Sequence, residues 1–313
     1  MFDIDTNGNI VCVGKPESID SQGAVNTPKN ICDFVVEETL SSIYAGKNLV
    51  ETGNYRIADI CCGSGNFLLS AFEYIINHYL ECYRDDLFDG TVRDGIIRTD
   101  FNGQNLFLSY KKKREILKNS IFGVDIDPLA VEVAKLSLIL KLLEDVAPDE
   151  LTEYMAQNHE QALPNLDENI KIGNSLVDGR FADYNQEVMI DYDLLAKIRL
   201  FDWQSEFGGC KFDAIVGNPP YIRVQKMVNY SPEEYKFYKS GISGYQTASS
   251  DLLDKYHLFV ERGLSLLSHE GVLGYIVPHR FMNISSGKIL RKTLAGRKAV
   301  RKYQNSFHTH LRI

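Results

Sequence analysis

At 313 residues, with 44% hydrophobic and 24% charged residues, the chain has a globular composition and room for one large domain or two. No apolar run reaches membrane-helix length, the polar first twenty residues do not form a signal peptide, and six cysteines without a CxxC pair predict neither disulfides nor a metal site. The net charge of −8 hides an asymmetry, because no acid follows Glu270 and the last 43 residues carry +9 against −17 for the remainder.

Residues 1–26 carry few structural signals and read as a lead-in. In NTPKNICDFVVEETL, Thr27 is placed to cap, Pro28 fits the first helical position, and Ile31, Phe34, Val35 and Leu40 recur with helical period. Residues 55–71, YRIADICCGSGNFLLSA, read as strand, tight glycine loop and helix, with Asp59 closing the strand and Gly63 and Gly65 in the loop. Such a loop lets a ligand approach the backbone closely. It lacks the third glycine of the dinucleotide fingerprint and any P-loop Lys-Ser/Thr pair, which disfavours phosphate. The acid before it suits a cation such as the ammonium of an amino acid, although a plain strand-to-helix turn also accounts for the pattern.

After a charged insert (residues 84–118), SIFGVDIDPLAVEVAKLSLILKLL repeats the strand-to-helix unit. Asp125 ends this second strand, where such folds grip a ribose, and Asp127 before Pro128 reads as a helix cap. NIKIGNSLVDG is a short strand ending at Asn174, which suits either an adenine edge or a turn; the stretch to Cys210 is poorly patterned. FDAIVG is then a buried strand that stops at Asn218-Pro219-Pro220-Tyr221. Two prolines fix φ and remove two donors, so Asn218 and Tyr221 stand on a stiff turn. That turn offers an amide, a backbone carbonyl and an aromatic face to a flat, amino-bearing ring.

Residues 222–250 read as a polar loop rich in tyrosine and glycine, a lid or a connector. DLLDKYHLFVERGLSLL is an amphipathic helix, GVLGYIVP a buried strand, SSGKILRKTLAG a helix and AVRKYQN a candidate strand. The basic block over this end suits nucleic acid, and a solvated helix face explains it equally well. Alternating strands and helices predict a parallel sheet covered on both faces.

In this order, DICCGSGNF, FGVDIDP, IGNSL, FDAIVGNPPYIR, DKYHLFVERGLSLL and GVLGYIVP resemble the amino-methylating DNA adenine methyltransferases. The arrangement is most similar to the gamma class of type I modification subunits and type IIG enzymes, and NTPKNICDFV resembles that family's extra cofactor motif. The resemblance covers roughly residues 23 to 295. It implies an α/β, class I S-adenosylmethionine-dependent methyltransferase fold: Rossmann-like, mostly parallel, with helices on both faces and the C-terminal strands left incomplete. It implies S-adenosylmethionine lined by Thr27, Asp59, Gly63, Gly65, Asp125 and Asn174, although many relatives carry aspartate at the Asn174 position. It also implies methylation of the exocyclic N6 of a flipped adenine in DNA, with Asn218, Pro219, Pro220 and Tyr221 as the catalytic corner.

On this reading residues 27–313 form the catalytic domain of a cytoplasmic restriction-modification enzyme from a bacterium or archaeon. A target-recognition domain is expected to be absent, so that a separate specificity subunit chooses the site or the chain is a truncated product. The alternatives are an RNA or protein-glutamine N-methyltransferase, which also use NPPY, and a cofactor-binding remnant without activity of its own.

Overall fold

Five short apolar runs become the parallel strands β1 (Ile57–Asp59), β2 (Ile121–Asp125), β3 (Ile170–Ile172), β4 (Phe212–Gly217) and β5 (Leu267–Ile276). The computed structural model describes residues 2–4, 10–12, 26–87, 96–99, 105–184, 191–250, 253–296, 302–305 and 309–312. Successive side chains leave a strand on opposite faces. Ile57, Ile121, Ala214, Val216 and Val272 accordingly join one apolar cluster, while Ala58, Phe122, Val124, Ile215 and Leu273 join another. Strands buried on both faces need apolar residues throughout, which is why FDAIVG shows no polar alternation.

The first cluster is covered by α1 (Lys29–Tyr44), α2 (Asn66–Leu87), α3 (Tyr110–Ser120) and α4 (Pro128–Leu143). The second is covered by α5 (Lys255–Leu266) and by the ring group Phe201, Trp203 and Phe207. The full sheet runs β6-β7-β5-β4-β1-β2-β3, with β6 at Lys302–Asn305 and β7 at Thr309–Arg312. β1 lies between β2 and β4, so the chain leaves β3 at one edge and returns to the other side of β1. Such a switch point opens a crevice at the carboxyl ends of the strands.

Several expectations change. The C-terminal strands are not left incomplete: β6, inside AVRKYQN, forms an antiparallel hairpin with β7, which pairs with β5 with His310 opposite Ile276. The charged insert holds an antiparallel hairpin (Ile97–Thr99 with Leu106–Leu108) and α3, in which Lys113 is buried with its ammonium on the Glu144 carbonyl. Residues 222–250 are not a loop. They contain helices at Val224–Tyr230 and Pro232–Lys239 and a tight turn at Thr247–Ser249. Phe237, Tyr238 and Tyr245 bury their rings there, and the two phenols reach Glu234 and the Leu176 carbonyl, so each buried hydroxyl keeps a polar partner. The stretch to Cys210 likewise forms short helices at Arg180–Tyr184, Tyr192–Ile198 and Trp203–Phe207.

The lead-in carries a hairpin pairing Phe2–Ile4 with Ile10–Cys12. In the basic block, Arg291 bonds the carbonyls of Phe281 and Ile284, which is a structural use; Arg297, Lys298 and Arg301 lie outside the described residues. Among the described residues no helix is long and apolar enough to cross a membrane.

Candidate active site

Four neighbouring strands deliver the predicted residues to one edge of the sheet. Asp59 closes β1, Asp125 closes β2, Asn174 follows β3 and Asn218 follows β4. Gly63 and Gly65 turn the chain between β1 and α2 with φ of +51° and +88°, a backbone region that favours glycine. A Cβ on Gly65 would stand 3.0 Å from the Ala134 Cβ of α4, so the loop also needs glycine for packing.

Asp125 binds this loop directly. One carboxylate oxygen accepts the Gly63 N–H at 2.7 Å and the other accepts the Asp127 N–H at 2.9 Å. An ionised carboxylate has about four acceptor positions, which leaves room for a diol. Asp127 caps α4 as expected, accepting from the Leu129 N–H at 2.9 Å.

Asp59 is 1% exposed and accepts the Cys61 N–H at 3.0 Å. Burial pushes its carboxyl up to about 7, with the Asp125 charge adding to the effect. In the unfolded chain the same group titrates near 3.8. Between these pH values the folded form therefore holds the extra proton, and this group's contribution to stability falls as pH rises. A ligand cation beside Asp59 would draw the carboxyl back down and expel the proton. We expect such a ligand to bind more tightly as pH rises from about 6 to 8 and to release a proton on binding. Calorimetry in buffers of different ionisation heat reads this; a pH-independent affinity would remove Asp59 from the ligand.

Asn174 satisfies one of its two readings openly. Its side-chain oxygen accepts the Leu176 N–H at 3.1 Å and makes a turn. Its Nδ2 is buried and has no partner among the described residues. An unpaired buried donor costs about 1–3 kcal/mol, so the position is suited to a ligand that brings an acceptor.

At the end of β4, the Asn218 Nδ2 donates to the Thr27 hydroxyl at 3.1 Å. The Tyr221 hydroxyl lies 2.5 Å from the Asn218 oxygen and 2.9 Å from the Ile276 carbonyl at the end of β5, sharing one proton between two acceptors. Its ring meets Tyr256 edge-on, with centroids 6.0 Å apart. Pro219 is buried beneath the corner and Pro220 is half-buried. Gly217, just before it, is pressed against Asp59, since a Cβ there would stand 2.7 Å from a carboxylate oxygen. Gly217→Ala is expected to cost about 1–3 kcal/mol through this clash, read as a lower urea midpoint. A midpoint equal to the parent's would mean that the strand moves to absorb the methyl.

One expectation is corrected here. Thr27 does not cap α1, which starts at Lys29 with no side-chain cap; its hydroxyl is turned to Asn218 instead. Two residues of the site escape sequence reading. Asn66 in GSGNF donates to the Asn26 side chain at 2.7 Å and to the Thr27 carbonyl at 3.0 Å. Gly217 closes FDAIVG, where nothing in the run marks its contact with Asp59.

Residues 119–309 match the family model described as Eco57I restriction-modification methylase. The type II restriction enzyme and methyltransferase RM.Eco57I of Escherichia coli is 35% identical over 98% of this chain, which spans 28% of that protein's length. Among solved structures, the type IIL restriction-modification enzyme MmeI in complex with DNA aligns with a TM-score of 0.56 at 13% identity, over 96% of this chain and 38% of its own. The DrdV–DNA complex aligns with a TM-score of 0.54 at 17% identity, over 90% and 23%. At these identities the structural likeness is one of fold.

Proposed function

The chain belongs to the Eco57I restriction-modification methylase family, and on that premise we propose that it transfers a methyl group from S-adenosylmethionine to the exocyclic N6 of adenine in DNA. The observation that carries this reading is the contact of Gly217 with Asp59, which seats the Asn218 corner directly beside the cationic-ligand site.

The residues present fit the cofactor. Asp59 is a buried acid for its ammonium, Asp125 an acceptor for its ribose hydroxyls, and the unpaired Asn174 Nδ2 a donor for its adenine ring. Gly63 and Gly65 let its amino-acid end approach the backbone, and the Thr27 carbonyl is tied to Asn66 just after that loop. When bound, S-adenosylmethionine supplies a methyl already activated by a sulfonium, so the protein's task is mainly alignment.

The exocyclic nitrogen of adenine is a poor nucleophile because its lone pair is delocalised into the ring. The Asn218 oxygen and the Pro219 carbonyl accept its two N–H groups, which localises the lone pair and stabilises the charge that develops on nitrogen. An amide oxygen has two acceptor positions, so Asn218 can receive this N–H while Tyr221 still donates to it. Pro220 keeps the turn stiff, and the Tyr221 ring stacks on a base that has left the duplex. The methylated nitrogen, now acidic, gives up one proton to solvent, so no general base is required.

We place the catalytic unit at residues 27–313 in a cytoplasmic setting. Choice of target is assigned to a further domain or a separate specificity subunit, since sequence readers need a surface for base-edge contacts. The test is transfer of radiolabelled methyl to unmethylated adenine-containing DNA, alone and with the product of the adjacent gene, followed by nucleoside analysis. Label in N6-methyladenine supports the reading. Label recovered only in RNA or in protein glutamine overturns it.

A further inference from the structure

We infer that Thr27 is a positioning residue for methyl transfer, holding the Asn218 amide in the one orientation that can receive the adenine amino group. The inference rests on the methyltransferase reading above.

A side-chain amide has two ends of nearly equal size and opposite hydrogen-bonding sense. Turned by half a rotation, Asn218 would present N–H donors to the N–H donors of adenine, and the contact would repel. Something must therefore make the nitrogen prefer the side away from the base. The Thr27 hydroxyl oxygen, 3.1 Å from Nδ2, is an acceptor at that place, while Tyr221 donates at the opposite end. Donation from Nδ2 also polarises the amide and makes its oxygen a better acceptor.

Thr27 is itself held firmly. It is 7% exposed, and its carbonyl accepts from Asn66 Nδ2 at 3.0 Å and from the Cys32 thiol at 3.6 Å. Asn66 opens α2 immediately after the glycine loop. One residue thus ties the cofactor loop to the catalytic amide across 191 positions of sequence.

The test compares Thr27→Val, which keeps the shape and removes the hydroxyl, with Thr27→Ser, which keeps the hydroxyl and removes the methyl. The readouts are single-turnover methyl transfer at saturating S-adenosylmethionine and cofactor affinity by calorimetry. Thr27→Val is expected to slow transfer roughly tenfold, the worth of one lost hydrogen bond, with cofactor affinity within about twofold of the parent. Thr27→Ser should recover most of that rate. Loss of cofactor affinity with the saturated rate intact would overturn the inference in favour of a simple cofactor contact. Greater damage from serine than from valine would overturn it in favour of packing, and an unchanged valine rate would overturn it outright.

A parent protein without transfer to DNA, both alone and with the product of the adjacent gene, would sink the methyltransferase reading instead. The pairing is then judged by urea unfolding of Thr27→Val, Asn218→Ala and the double variant. A combined midpoint shift smaller than the sum supports the contact; strictly additive shifts overturn it.

Discussion

Asn218→Ala is expected to reduce methyl transfer by roughly a thousandfold or more while S-adenosylmethionine binds as in the parent, within about twofold. Loss of a single group placed to stabilise developing charge typically costs about 10² to 10³ in rate. Here the loss is larger, because alanine also releases both hydrogen-bonded neighbours. Tyr221 loses one of its two acceptors and Thr27 loses its donor, so the aromatic face at the corner is held less firmly. The hydrogen bonds that shape the cofactor side, from Gly63 to Asp125 and from Leu176 to Asn174, do not pass through Asn218. Undiminished methylation by the variant, measured with radiolabelled cofactor, would refute the assignment. A collapse of cofactor affinity would instead make Asn218 a structural residue.

Asp125→Ala should show the complementary pattern, with cofactor affinity falling about 10- to 100-fold and the saturated rate much less affected. One charge-assisted hydrogen bond to a diol, at about 1.5–3 kcal/mol, corresponds to roughly that range. The structure adds a second cause. The carboxylate also holds the Gly63 N–H, so alanine frees the glycine loop that must approach the ligand. Asp125→Asn is not a mild change, because an amide puts a donor against one of the two N–H groups now bound at Gly63 and Asp127. It should fall between alanine and the parent. Unchanged affinity of Asp125→Ala in calorimetry would remove the residue from the site.

The parts of the site that were legible in the sequence are those whose physics is local. A strand ending in Asp59, two glycines and a helix start lie within a dozen residues, and each carries its own signal. The same holds for Asp125 with Asp127, and for the double proline after Asn218. The cap reading of Thr27 fails because its hydroxyl's partner stands far away in the chain, and a threonine before proline looks like a cap. Asn174 kept two readings open in the sequence; the fold uses its oxygen for a turn and leaves its nitrogen unpaired. Residues 222–250 look like a loop because serine and tyrosine recur among polar residues, yet they form helices, and the buried phenols keep hydrogen-bond partners. The β7 strand was invisible for a simpler reason. Four residues are too few to establish a period, and pairing with β5 does the work that sequence pattern could not.

The adjacency of β1 and β4 has a mechanical consequence. Asp59 and Asn218 leave neighbouring parallel strands, paired with Ile57 opposite Ala214 and Ala58 opposite Ile215. Such strands stand about 4.8 Å apart, a distance set by backbone hydrogen bonds and little affected by side chains. The separation of the Asp59 and Asn218 backbones is therefore set by the stiffest dimension of the sheet. Moving one compartment relative to the other would require a register slip, which turns every β4 side chain to the wrong face and disrupts both apolar layers at once. Drift in the outer helices can erode stability and leave that separation untouched.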